Sequence, residues 1–287
     1  MKNSENNNNE KIRLGDYNTL KVVKQVDFGM YLDGGDTGDI LLPTRYVPQG
    51  LNIGDEIEVF LYLDQDEKII ATTLKPLAKV GDFAYLEVAW VNEYGAFLHW
   101  GLMKDIFCPF REQKMRMRQG ERYVVYVMID EESYRIMATA KVEKYLNQEK
   151  PRYKHGDEVQ LLVQQKTDLG FKVIIDNKFS GLVYDNQVFR PLTTGDRLKG
   201  YIDHVRLDGK IDITIQPTGR RQTEEFSDVL LNYLKENNGH CDLGDKSPAE
   251  LISDRFKVSK KTYKKAVGDL YRKHLIVISD NGIDLRE

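Results

Sequence analysis

Cysteine is scarce in this chain. Of 287 residues only Cys108 and Cys241 are cysteine, and they form no C-x-x-C pair. That argues against a disulfide scaffold and against thiolate zinc sites, and it fits a reducing cytoplasm. Long apolar runs are missing as well. None approaches the roughly 18 residues of a spanning helix, and no signal-peptide core follows Met1, so no membrane contact is expected. The five histidines, His99, His155, His204, His240 and His274, are scattered at no metal-binding spacing, and no Asp/Glu/His cluster recurs. The expectation is therefore no metal, no cofactor, no small-molecule substrate and no enzyme. An excess of one charge is also lacking, with a net charge of −3. Such a sum does not announce a nucleic-acid binder, but it can hide local patches, so charge has to be read by segment.

What the chain does contain is a repeat. Trp90-Val91-Asn92-Glu93-Tyr94-Gly95-Ala96-Phe97-Leu98-His99 reads as a strand, a tight glycine step and more strand, with Tyr94 and Phe97 on either side of the glycine. Relatives of it stand at Gln25 to Leu32, around Gly29, and at Gln165 to Val173, around Gly170. Gly15-Asp16, Gly81-Asp82 and Gly156-Asp157 each precede the central glycine by 14 residues. Gly54-Asp55, Gly120-Glu121 and Gly195-Asp196 each follow it by 25. Three landmarks holding one register in three copies mark an internal repeat, which outranks other signals.

Each copy carries five short strands separated by Gly/Asp turns, the pattern of a small closed sheet that leaves no exposed edge. The repeats span 11–75, 79–140 and 154–217, after a disordered tail at 1–10 that includes the Asn6–Asn9 run. A polar linker, expected helical, fills 141–153. From 222 to 287 the period changes. Phe226, Val229, Leu230, Tyr233 and Leu234 fall at helical spacing. Ser247-Pro248-Ala249-Glu250 reads as a capping box opening a second helix that buries Leu251, Ile252 and Phe256. Ser259 can cap a third helix with Tyr263, Ala266, Val267 and Leu270 as its apolar stripe. Asp280-Asn281-Gly282 between apolar runs signals a hairpin. Three helices and a terminal hairpin make a winged helix. The fold class expected is thus mainly β: three tandem OB-fold barrels of five strands, then a small α+β winged-helix domain.

The order strand, aromatic-Gly-x-aromatic, Gly/Asp-apolar-apolar resembles the S1-type RNA-binding domain. Tyr94-Gly95-Ala96-Phe97-Leu98 is very close to that family's Phe-Gly-Ala-Phe-Val motif, and Phe28-Gly29-Met30-Tyr31-Leu32 is nearly as close. Leu169-Gly170-Phe171-Lys172-Val173 departs from it, losing both aromatics. Ser180-Gly181-Leu182-Val183-Tyr184 keeps a later element, with Tyr184 where the family has an RNA-facing histidine. Three such domains followed by a winged helix resemble the conserved virulence factor B family, cytoplasmic bacterial RNA-binding regulators. The resemblance covers the chain from Lys11 onward. It implies single-stranded RNA as ligand, post-transcriptional regulation, and the ribosome or the mRNA decay machinery as further partners. The competing reading is a DNA-binding transcription regulator acting through the winged helix.

An OB barrel offers a face on which unpaired bases stack, so Phe28, Tyr31, Tyr94 and Phe97 are the candidate rings, with Tyr184 in the third copy. Barrel core is the alternative role for these rings, and the alternation around Gly95 leaves both open. Phosphates need cations beside the rings. Arg111, Lys114, Arg116 and Arg118 supply them in the second copy, Arg45 in the first, and Lys166, Lys172 and Arg190 in the third. The first copy is acidic (Asp33, Asp36, Asp39, Asp55, Glu56, Glu58, Asp64, Asp66, Glu67) and is expected to bind RNA least. From Arg255 to Lys273 there are eight Lys/Arg and one acid, Asp269. Lys261, Lys264, Lys265 and Arg272 lie on the polar side of the third helix, a phosphate footprint invisible in the net charge. That helix carries no Asn, Gln or Arg in its first turns for bidentate base contacts.

Overall fold

A computed structural model describes residues 11–188, 191–216, 219–279 and 281–286. The tail expected at 1–10, Arg190 and Asp280 of the hairpin signal lie outside these residues. The chain divides into two compact units, Met1–Tyr145 and Leu146–Glu287.

The first unit holds two barrels. β1 (Tyr17–Val26), β2 (Gly29–Leu32), β3 (Ile40–Pro43), β4 (Glu56–Leu63) and β5 (Ile69–Thr72) close in the order β1-β2-β3-β5-β4. β6 (Phe83–Val91), β7 (Gly95–His99), β8 (Ile106–Pro109), β9 (Arg122–Ile129) and β10 (Ile136–Thr139) repeat that topology. The two barrels share a core. Phe60 and Tyr62 of β4 belong to one buried cluster with Trp100, Leu102 and Ile106, and the Phe60 and Trp100 rings meet edge to face at 5.7 Å. The joint is pinned by Leu77 N–H to the Trp100 carbonyl at 2.7 Å, Val80 N–H to the Gly15 carbonyl at 2.9 Å, and Lys79 to Asp16 at 2.9 Å.

The second unit holds the third barrel and the winged helix. β11 (Glu158–Thr167), β12 (Gly170–Ile175), β13 (Phe179–Tyr184), β14 (Arg197–Val205) and β15 (Ile211–Thr214) close around a purely aliphatic set of buried residues that includes Val163, Val173, Ile175, Val183, Ile202 and Ile213. Then come α1 (Gly219–Glu236), β16 (His240–Cys241), α2 (Ala249–Phe256), α3 (Lys260–Arg272), β17 (Ile276–Ser279) and β18 (Gly282–Leu285), the strands ordered β16-β18-β17. The expected fold class is what the structure has. Ser259 caps α3, its hydroxyl accepting from Thr262 N–H at 3.1 Å, and Tyr263, Ala266, Val267 and Leu270 are buried below it. The Gln216 amide donates to the Lys257 carbonyl at 2.7 Å, tying the end of the barrel to the loop before α3.

Three local expectations differ. The linker is no helix: after a single 3-10 turn at Val142–Tyr145 it runs without regular structure to β11. The turn is held by tertiary contacts instead, with Val142 buried and Tyr145 stacked on Tyr126 at 4.1 Å. The capping box does not form either. Ser247 Oγ accepts from Gly244 N–H at 2.9 Å, turned back into the preceding loop, and α2 begins at Ala249 without a side-chain cap. Finally, Val229 and Leu251 are exposed although they fit the helical stripes of α1 and α2. Short amphipathic helices overrun the arc their small core can cover.

Candidate nucleic-acid interface

The repeat's central glycine has a packing cause. A Cβ on Gly95 would lie 2.4 Å from the backbone carbonyl oxygen of Cys108 on the neighbouring strand. On Gly29 it would lie 2.2 Å from the Leu42 oxygen, and on Gly170 2.1 Å from the Val183 oxygen. No side chain fits there, so all three barrels bring their second and third strands together in the same way. The residue before each glycine is thrown outward. Phe28 is 58% exposed, Tyr94 66% and Leu169 65%.

A second shared device sits in the first strand of each barrel. The pairing register slips by one residue, at Val23 between Val22 and Lys24, at Ala89 between Val88 and Trp90, and at Gln164 between Val163 and Gln165. Such a bulge shifts the side chains that follow it relative to the partner strand. In the second barrel it sets Trp90 opposite Phe97, and Phe97 stands opposite Phe107 on β8. Directly opposed residues share a face. The outcome is an aromatic row across three strands. Trp90 and Phe97 stack at 3.6 Å with an interplanar angle of 4°, and Phe107 follows at 4.9 Å. Trp90 is 43% exposed, while Phe97 is half-buried with Trp90 against it. Tyr94 stands beside the row. Neither Trp90 nor Phe107 is among the residues expected from the motif. Trp90 precedes Gly95 by five, where the other copies have Lys24 before Gly29 and Gln165 before Gly170, so the repeat carries no signal for a ring at that position.

The same row in the other barrels reads differently. In the first it is Lys24, Tyr31 and Leu41, with Phe28 edge to face on Tyr31 at 6.4 Å. In the third it is Gln165, Lys172 and Leu182, without a ring. Tyr184 is half-buried there, its hydroxyl hydrogen-bonded by Arg206, whose guanidinium also grips the Asp212 carboxylate with two bonds of 2.8 Å. Lys166 pairs with Asp185 and lies over the Phe171 ring at 4.3 Å.

The cations expected beside the second barrel are mostly engaged within the protein. Arg111 faces Asp130 at 3.4 Å, Lys114 faces Glu143 at 2.7 Å, and Arg118 is 3.8 Å from Glu121. Arg116 caps the Phe110 ring at 3.4 Å. Hydrogen bonds from the Ser133 hydroxyl and backbone, with Arg111 nearby, hold the Asp130 carboxyl below the usual aspartate range. In the first barrel Arg45 lies over Tyr46 at 4.8 Å. Burial pushes the Cys108 thiol up to about 12, so this cysteine is a packing residue of β8.

On the winged helix, Lys261, Lys264, Lys265 and Arg272 are all exposed along α3. Lys264 lies 3.5 Å from Asp245 and Arg272 3.9 Å from Asp269. Among the described residues neither Lys261 nor Lys265 is in an ion pair, and they are the freest cations of the set. Among the described residues no group of three or more His, Cys, Asp or Glu is placed to hold a metal ion. Among the described residues no helix is long and apolar enough to cross a membrane.

Comparison with known proteins agrees with this anatomy. The S1 domain family matches residues 14–74, and the CvfB-like winged helix domain family matches residues 228–285. The protein YitL of Bacillus subtilis is 26% identical over 289 residues, which span 98% of this chain and 96% of its own length. Conserved virulence factor B of Staphylococcus aureus is 20% identical over 242 residues, 82% of this chain and 81% of its own. A solved structure described as a multidomain protein with nucleic acid binding domains, from Streptococcus pneumoniae, is 20% identical, covers 95% of this chain and 98% of its own, and has a TM-score of 0.44. With an S1 domain at one end and a CvfB-like winged helix domain at the other, this nucleic-acid-binding chain is similar over most of its length to YitL and to conserved virulence factor B.

Proposed function

We propose that the chain binds single-stranded RNA without catalysis and acts on transcripts after their synthesis, in the cytoplasm. The observation that carries this reading is the row Trp90, Phe97 and Phe107 with Tyr94 beside it. Flat rings on an OB face suit unpaired bases, whose faces a duplex hides, and each base stacked on an aromatic gives roughly 1–3 kcal/mol. The exposed lysines of α3 add a sequence-independent hold on phosphate. Barrel 2 is then the main stacking platform and α3 the main phosphate contact. Barrel 1 is weaker because of its acidic surroundings, and barrel 3 because it has no ring row and Tyr184 is engaged by Arg206. Affecting translation or decay from this position would bring the protein to the ribosome or to the decay machinery.

A competition assay at one ionic strength tests the reading. Labelled single-stranded RNA should be displaced by unlabelled single strand at far lower concentration than by duplex DNA. Equal displacement by both would favour the competing assignment, a DNA-binding regulator working through the winged helix. Shortening of the labelled RNA during the assay would show catalysis.

A further inference from the structure

The aromatic row of the second barrel is the floor of a groove of about 820 Å³, and its opposite wall comes from the first barrel: Tyr62 and Leu63 at the end of β4, then Gln65 and Glu67 in the turn to β5. That volume lies in the range of ligand sites, about 300–1,000 Å³. The wall is fixed twice over. From inside, the Asp64 carboxylate accepts from the Asp66 and Lys68 backbone N–H groups, each at 2.9 Å. From outside, Glu67 is held by Lys104 at 3.0 Å and Arg135 at 3.0 Å, and Lys104 also donates to the Asp64 carbonyl at 2.6 Å. Beneath it lies the core that Phe60 and Tyr62 share with Trp100. The groove therefore exists before any ligand arrives, and closing it costs no ordering of the turn.

Its charges say which part of a nucleotide it suits. Lys104, Arg111 and Arg135 line it, and so do Glu67, Asp105 and Asp130, three of each sign. Each cation already faces a carboxylate, Lys104 and Arg135 facing Glu67 and Arg111 facing Asp130. A balanced groove with an aromatic floor favours the uncharged base over the phosphate chain. The carboxylates and the amide oxygen of Gln65 accept hydrogen bonds, whereas the Asn92 oxygen is taken by the Tyr94 and Gly95 N–H groups at 2.9 and 3.1 Å. Cytosine presents an amino donor at the position where uracil presents a carbonyl acceptor, so acceptors in the wall discriminate between two rings of the same size.

We propose that barrel 1 and barrel 2 together form a base-reading groove. A base stacked on the Trp90 row presents its polar edge to the Gln65–Glu67 turn, which prefers amino-bearing bases to uracil. This rests on the single-stranded RNA reading above. The test uses the full chain with labelled 12-mers of oligo-C, oligo-A and oligo-U, by fluorescence anisotropy at one salt concentration. Wild type should bind oligo-C and oligo-A at least about fivefold more tightly than oligo-U, within the range for a well-placed base contact. The double variant Gln65→Ala/Glu67→Ala should bring the ratio close to one. It should also steepen the salt dependence, because Lys104 and Arg135 lose their carboxylate. Should the double variant fail to fold, Gln65→Ala alone is read, since Gln65 is exposed and should lower the ratio without unfolding the chain. A wild-type ratio near one, or a ratio unchanged in the variants, overturns the groove; if Trp90→Ala still weakens binding in that case, the RNA reading survives. Failure of every single-stranded RNA to bind overturns both.

Discussion

At the scale of single residues, the proposed function turns on which rings face outward. Tyr94 and Trp90 do, so replacing each with Ala should weaken single-strand binding by about 1–3 kcal/mol, with little change in melting temperature for Tyr94. Phe97 is different: half-buried under Trp90, it should cost both binding and stability. Thermal melts alongside anisotropy separate the two, and a Tyr94→Ala protein that melts early yet binds normally would sink the assignment. The motif around Gly95 was enough to nominate Tyr94 and Phe97. It was not enough to nominate Trp90, because the bulge at Ala89 decides that Trp90 stands opposite Phe97, and a bulge leaves no mark in the sequence of the strand. The basic run from Arg111 to Arg118 was legible as charge, whereas its pairing was not: Asp130 and Glu143 arrive from sequence positions far from their partners.

At the scale of elements, the proposed function gives the glycine step and α3 separate tasks. Gly95→Ala drives a methyl into the Cys108 carbonyl and forces β7 away from β8, which should cost about 1–3 kcal/mol, and binding should fall with it because Tyr94 and Phe97 move. A Gly95→Ala protein as stable as wild type would contradict the close approach. On α3, Lys261→Gln with Lys265→Gln should lower affinity evenly across sequences and flatten the salt slope by about 0.7–1 per lysine, with stability unchanged. An unchanged slope would remove α3 from the interface. Strands and the third helix could be read from period and caps because their burial follows local pattern. The linker and the start of α2 could not. Val142 and Tyr145 pack on a barrel, and Ser247 finds a backbone donor in the loop behind it, so tertiary partners override the local signals.

At the scale of the whole molecule, the two joints between repeats are not alike. Residues 74–78 run between barrels that share a core, and Ala78 is buried there. Gln148, Glu149 and Lys150 are exposed next to the boundary between the two compact units. A glutamate-specific protease at low dose should therefore cut first after Glu149 and leave two fragments that resist further digestion, as gel and mass spectrometry would show. A first cut at 74–78 would mean that the shared core does not hold. The three rows across the barrels carry a different consequence. Glycine and bulge recur in every barrel, yet the residues they display run from three rings to none. Backbone and display are thus uncoupled, and duplication has supplied three mounts of which one carries the full set of rings. Such a chain is a natural chassis for altered specificity: Lys24→Trp with Leu41→Phe would rebuild the row on barrel 1 without touching a buried position.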